Sequence, residues 1–341
     1  MSTLRWSDLE PRFLALVERP VTAAAVPTLL QDLDALEREV REAYAGRMRA
    51  KDEDTADEAA KQAFLDFVQD VMPRLEPIED RLNRKLLDVS GYRSPPELEV
   101  AWADMRDTVE LFRDENVARN VEEQGLQQRY GEIAGRTRVV LNGEETTVAR
   151  ARAELEVPDR AAREAAWRAL EKGKAAQQPQ LDDLFLEMVR LRGQIATAAG
   201  LTDYRAFAWK ARHRREYTAQ DALELHAAVA AEIVPRLRTL DQRRRERLGV
   251  ARLRPWDLSA DPNGREPLRP FGDVAELDAG LQRMFMALDP ELGEAYQLLQ
   301  GGWMDLEPRP NKVPGSATSR TFRSRAGRTS IGARWVPTMT C

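Results

Sequence analysis

Metal and acid–base chemistry would have to start from the imidazoles, and this chain of 341 residues has two, His213 and His226. A His-Glu-x-x-His zinc site needs two histidines four residues apart so that both leave one helix face. Neither histidine has such a partner. His226 falls on an apolar helical stripe and reads as a satisfied core or half-buried side chain. His213 sits in KARHRREY, a basic run that reads as a solvated face. No Gly-x-Ser-x-Gly elbow supports a serine nucleophile. The PGSAT stretch lacks the Gly-Lys-Ser/Thr ending of a phosphate loop. The arginine cluster Arg243 to Arg247 closes a helix, where positive charge complements the dipole.

The elements around these residues are helical. Candidate capping boxes, in which a hydroxyl caps the helix and an acid three residues on reaches back, stand at Ser7–Glu10, Thr55–Glu58 and Thr218–Asp221. From Ala222, the residues Leu225, Val229, Ile233, Leu237 and Leu240 recur at spacings of three and four, which predicts one apolar face on a long helix kinked by Pro235. Similar periodicity predicts helices over roughly 25–45, 57–89, 97–132, 159–176, 179–199 and 273–300. One segment differs. In TRVVLNGEETTV, β-prone runs flank Asn142-Gly143, a pair suited to a type I′ turn, and predict a β-hairpin at about 137–148. Four prolines between Leu253 and Phe271 predict a long irregular excursion. The fold class is therefore mainly α, multi-helix, with one small hairpin.

Composition bounds the rest. With 43% hydrophobic and 32% charged residues, the chain can bury a sizeable core. A net charge of −5 argues against a general nucleic-acid binder. A single cysteine, Cys341, excludes an internal disulfide and fits a reducing, cytoplasmic compartment. No leader peptide or membrane-spanning run is expected. After Glu307 the acids vanish, and the sequence turns to Ser, Thr, Arg and Gly.

Four segments carry a resemblance. VPDRAAREAAWRAL follows the hairpin, then GLTDYRAFAWKARHRREYTAQDALELHAAVAAEIVPRLRTL, then LGVARLRPWDLSADPNGREPLRPF, then GGWMDLEPRPNKVPG. In order and spacing they resemble the oligoendopeptidase F branch of zinc metallopeptidases, related to thimet oligopeptidase, over about residues 1–316. The resemblance implies a helical, two-lobed peptidase whose channel admits short peptides and whose zinc, held by a His-Glu-x-x-His helix and a downstream Glu, activates a water. It implies an N-terminal helical region over 1–135, a hairpin connector over 136–150, and the helical part of the peptidase domain over 151–312 without its zinc-bearing portion. Residues 313–341 would be an aberrant, disordered tail.

A slip of reading frame near Gly315 accounts for that tail. Reread in the open shifted frame, WVPTMTC permits Gly-Thr-His-Asp-Asp-Val, which the family carries just before its zinc helix. About residues 317–341 are accordingly read as out of frame. The expected chain is a catalytically inactive fragment with no catalytic, cofactor-binding or metal-ligating residue of its own and no stoichiometric zinc. The alternative is a helical peptide- or protein-binding module without catalysis. Short peptides are the expected partners, nucleic acid and membrane are not, and self-association through uncovered apolar faces is expected.

Overall fold

The computed structural model describes residues 4–135, 137–300, 304–307 and 312. The tail from 313 and the NKVPG segment, apart from Lys312, lie outside the described residues. Two compact units are formed, and they interleave along the chain. One takes Met1–Glu132, Asp182–Ala222 and Asn311–Cys341, and the other takes Ile133–Leu181 and Leu223–Pro310.

The first unit is built on α1 (Trp6–Glu18), α2 (Val26–Glu53), α3 (Glu58–Asp70), α4 (Met72–Leu87) and α5 (Glu99–Leu111). In α1 the buried residues Trp6, Leu9, Phe13 and Leu16 fall at helical spacing. In α2 the same rhythm buries Val26, Leu29, Leu33, Leu36 and Val40. These side chains join Leu75, Leu82 and Leu86 of α4 and Trp102 of α5 in one core. The carbonyls orphaned at the end of α1 are met by Lys85, whose ammonium donates to Leu16 O at 3.1 Å, to Val17 O at 2.6 Å and to Arg19 O. Of the three expected capping boxes, only Thr218–Asp221 forms. Thr218 N donates to Asp221 Oδ2 at 2.7 Å, and Asp221 N donates to Thr218 Oγ1 at 3.1 Å. At the other two, a nearer acid takes over: α1 starts at Trp6 with Asp8 accepting from Arg5 N, and α3 is capped by Asp57. In both places the helix takes its cap at a different residue from the expected hydroxyl, and the amides engaged are those of Arg5 and Ala60.

Helix α6 (Asp114–Gly135) leads to the hairpin, β1 (Val139–Leu141) and β2 (Glu144–Thr146), in antiparallel register Val139↔Thr146. Asn142 and Gly143 both take positive φ, 55° and 87°, as the tight turn requires. Val139 is fully buried against Ala151 of α7 (Val148–Ala153) and Leu170 of α8 (Arg160–Ala175). Here α8 passes so close to β1 that a Cβ on Gly173 would lie 2.5 Å from Arg138 O.

Next come α9 (Gln178–Ala198), α10 (Tyr204–Ala211) and α11 (Ala219–Ala228). The expected kink appears as a π segment, Val229–Ile233, joining α11 to α12 (Val234–Leu248). Pro235 has no N–H to continue the ladder, and one wide turn absorbs the misfit. The proline-rich stretch is irregular as expected, apart from a short turn at Pro255–Asp257, and α13 (Val274–Leu288) and α14 (Pro290–Gln300) follow. Among the described residues, no helix is long and apolar enough to cross a membrane.

Candidate functional site

Helix α10 is launched by Asp203, whose carboxylate accepts from Ala206 N at 2.8 Å. It ends in a turn where His213 adopts φ 53°, unusual for a residue with a Cβ. That turn aims the imidazole at α5: His213 Nδ1 lies 3.6 Å from Asp104 and 3.5 Å from Asp107. Arg215 bridges the same two carboxylates at 2.7 and 2.5 Å. His213 is thus not on a solvated face, because its side chain is 17% exposed and enclosed by two acids that lie far away in sequence. The local basic run gave no hint of them.

This cluster is the one place where a histidine and two carboxylates converge among the described residues, so it is where a metal would be sought. The guanidinium of Arg215 already supplies the positive charge there. Among the described residues, no group of three or more His, Cys, Asp or Glu is placed to hold a metal ion. The donor set does not fit zinc.

Beside the cluster opens a cleft of about 340 Å³. Its floor is Trp209 of α10, whose indole N–H donates to Tyr217 O at 3.0 Å and whose ring meets that of Tyr217 edge-on, centroids 5.2 Å apart. Arg214 stacks over the indole at 4.8 Å. Arg205, Lys210, Arg214 and Arg215 line the cleft, together with Asp107 and Asp203. Helix α10 is held in place by a buried network: Glu123 of α6 accepts from Arg192 Nε of α9 at 2.7 Å and from the Tyr204 hydroxyl at 3.5 Å. Burial, then the charge of Glu123, pushes the Tyr204 phenol up to about 12, so it stays a donor throughout the physiological range.

His226 is elsewhere. It is exposed on α11, where a core or half-buried position was expected, because its stripe is itself uncovered: Leu225 is 62% and Leu240 56% exposed. Within the cluster Arg243–Arg247, Arg244 is not simply solvated. It donates to Asp257 O at 3.2 Å and to Ala260 O at 2.6 Å, which ties α12 to the proline-rich stretch.

The second unit has its own polar centre, which sequence reasoning missed. Asp257 is fully buried and receives a two-pronged bond from Arg160, both prongs 2.9 Å, and a further one from Arg163 at 3.3 Å. Arg163, also buried, donates further to the carbonyls of Trp256, Val157 and Pro158. Burial pulls the Asp257 carboxyl upward, but the bonds from Arg160, the Arg254 amide and Arg163 outweigh it and hold the group below its usual range. Partners so far apart in sequence leave no periodic signal. Both carboxylate oxygens are taken up within the unit, so the centre is an anchor that locks the irregular stretch onto α8 rather than a reactive site.

This helical architecture is that of solved oligopeptidases. The chain superposes on Pz peptidase A, solved with an inhibitor, with a TM-score of 0.83 at 24% identity, covering 91% of this chain and 56% of that one. A structure named oligoendopeptidase F gives 0.84 at 24% identity with the same coverage, 91% and 56%. An oligoendopeptidase F from Bacillus anthracis str. Ames gives 0.82 at 21% identity, covering 91% and 58%. The chain therefore has the oligopeptidase fold and spans little more than half the length of these relatives. No curated protein matches it. The profile of peptidase family M3 matches residues 154–340, more than half of the chain, and the chain belongs to that family. The match takes in residues 317–340.

Proposed function

We propose that these residues form the peptide-holding, non-zinc portion of a family M3 oligopeptidase, and that the chain by itself does not hydrolyse peptides. Membership of the family carries the reading. The absence of catalysis is supported by the residues of this sequence: two histidines, no His-Glu-x-x-His, and one of the two already engaged by Asp104, Asp107 and Arg215. Zinc in the family is held by residues this sequence does not provide, and no step is routed through it here. The test is to incubate the purified chain with a panel of short peptides, with and without chelator, while measuring bound zinc. We expect no cleavage and no stoichiometric zinc. Chelator-sensitive hydrolysis accompanied by stoichiometric zinc overturns the reading.

The codon reading takes the residues from about 317 onward as an out-of-frame translation, and the family match, which runs on to residue 340, counts against it. Sequencing the gene and transcript from the Asn311 codon, translated in all forward frames, decides this: a shifted frame that runs into His-Glu-x-x-His supports it, and its absence removes it. The single cysteine favours a reducing, cytoplasmic setting. A binding module without catalysis is the second reading, favoured by the exposed leucines and methionines of α11 to α14.

A further inference from the structure

We propose that the cleft over Trp209 is a carboxylate-recognition site that takes the free C-terminal end of a short peptide, a proposal that rests on the peptide-holding function above. At about 340 Å³, the cleft lies in the size range of small-ligand pockets, enough for a terminal residue and part of its neighbour.

The charges facing it are unequally committed. Asp203 is engaged as the cap of α10, and Asp107 is held by Arg215. Lys210 pairs with Glu110. Two guanidinium groups remain. Arg214 lies on the indole face with no carboxylate partner among the described residues, and Arg205 has only the already engaged Asp203, at 4.0 Å. A guanidinium offers parallel N–H donors in the geometry a carboxylate accepts, so an uncommitted pair beside one cleft favours an anion. The aromatic floor supplies the other half of the recognition. Because its N–H is tied to Tyr217 O and its ring packs edge-on with that of Tyr217, Trp209 is a fixed aromatic wall of the cleft, with Arg214 over its ring, and the last side chain of the ligand would rest against that wall. An inorganic phosphate would satisfy the same guanidinium groups but leave that wall unused.

The experiment titrates the full chain by calorimetry with three probes: the tripeptide Ala-Ala-Phe as the free acid, the same peptide as its C-terminal amide, and inorganic phosphate. We expect the acid to bind at least about 10-fold more tightly than the amide, the effect of one charge-assisted contact. Arg214→Gln and Arg205→Gln should each shrink that preference, their combination should abolish it, and Arg214→Lys should keep part of it. Unchanged thermal unfolding shows that each variant is folded. Equal binding of acid and amide, failure of the acid to bind, or a preference that survives the double substitution overturns the proposal. Phosphate binding more tightly than the acid makes this a phosphate site and overturns it too. The two readings fail separately: peptide cleavage sinks the non-catalytic function, whereas equal affinities sink only the cleft.

Discussion

Helix α2 and the run from α11 into α12 carry similar apolar rhythms and meet opposite fates. In α2, Val26, Leu29, Leu33, Leu36 and Val40 are all buried, enclosed by α1 and α3. In the second run, Leu225, Val229, Ile233, Leu237 and Leu240 are all at least 42% exposed. Helix α13 repeats the contrast: it buries no residue, and Met284, Met286 and Leu288 stand in solvent. Periodicity records which face of a helix favours cover. Whether cover exists depends on other segments, and no local pattern encodes that. The same spacing therefore predicts a packed core in one region and an apolar surface open to association in the other.

If that contrast is physical, matched truncations should separate by kilocalories. Phe13→Ala empties a fully buried position and is expected to cost about 3–5 kcal/mol of unfolding free energy. The side chain of Leu237 is 51% exposed. Leu237→Ala should therefore change stability by only about 0.5 kcal/mol or less. Denaturant unfolding of the two variants measures both. Similar losses would mean that α12 is covered in solution, and the comparison would break.

A polar exception inside the packed region sharpens the point. Glu76 of α4 is half-buried and accepts from Asn120 Nδ2 at 2.8 Å. Burial raises its carboxyl to about 7, against a partial opposing effect of the Asn120 bond. A carboxyl raised in the folded state contributes stability that is fully present below its unfolded value near 4.5 and lost as pH rises through about 7. Between pH 5 and 8 the chain should lose roughly 2–3 kcal/mol from this group, and Glu76→Gln should flatten that part of the profile. Unfolding measured across this range in both proteins checks it. An unchanged slope in the variant assigns the pH dependence to other groups.

Local chemistry was legible where a few adjacent residues settle the outcome. Asn142-Gly143 announced the hairpin, Thr218 and Asp221 announced a helix start, and Pro235 announced a break that appears as a π turn. Ser7 and Thr55 misled because the helices start at other residues, where Asp8 accepts from Arg5 N and Asp57 from Ala60 N. The candidate site was not legible. His213 lay in a basic run, while the acids that enclose it came from α5, and the cleft exists only because α10, its following turn and α5 meet. The anchor of Arg160 and Arg163 on Asp257 is likewise a long-range pairing. Motif reading finds sites carried on one element, and these are assembled from several.

The smallest expected effect on stability accompanies the clearest effect on assembly. Ile233→Asp with Leu237→Asp places two charges on side chains that are 45% and 51% exposed. Each should change unfolding by about 0.5 kcal/mol at most. Association driven by the same face should nevertheless be lost, because pairing would bury those carboxylates without partners. Sedimentation velocity over a concentration series is expected to show the unsubstituted chain gaining mass and the double variant remaining monomeric. Salt separates this from an ionic contact: sulfate should strengthen association through an apolar face, whereas screening would weaken a contact between charges. If the unsubstituted chain stays monomeric throughout, the exposed stripe does not drive self-association. The uncovered rhythm of α11 and α12 would then mark a face that calls for a different covering surface, not for a second copy of itself.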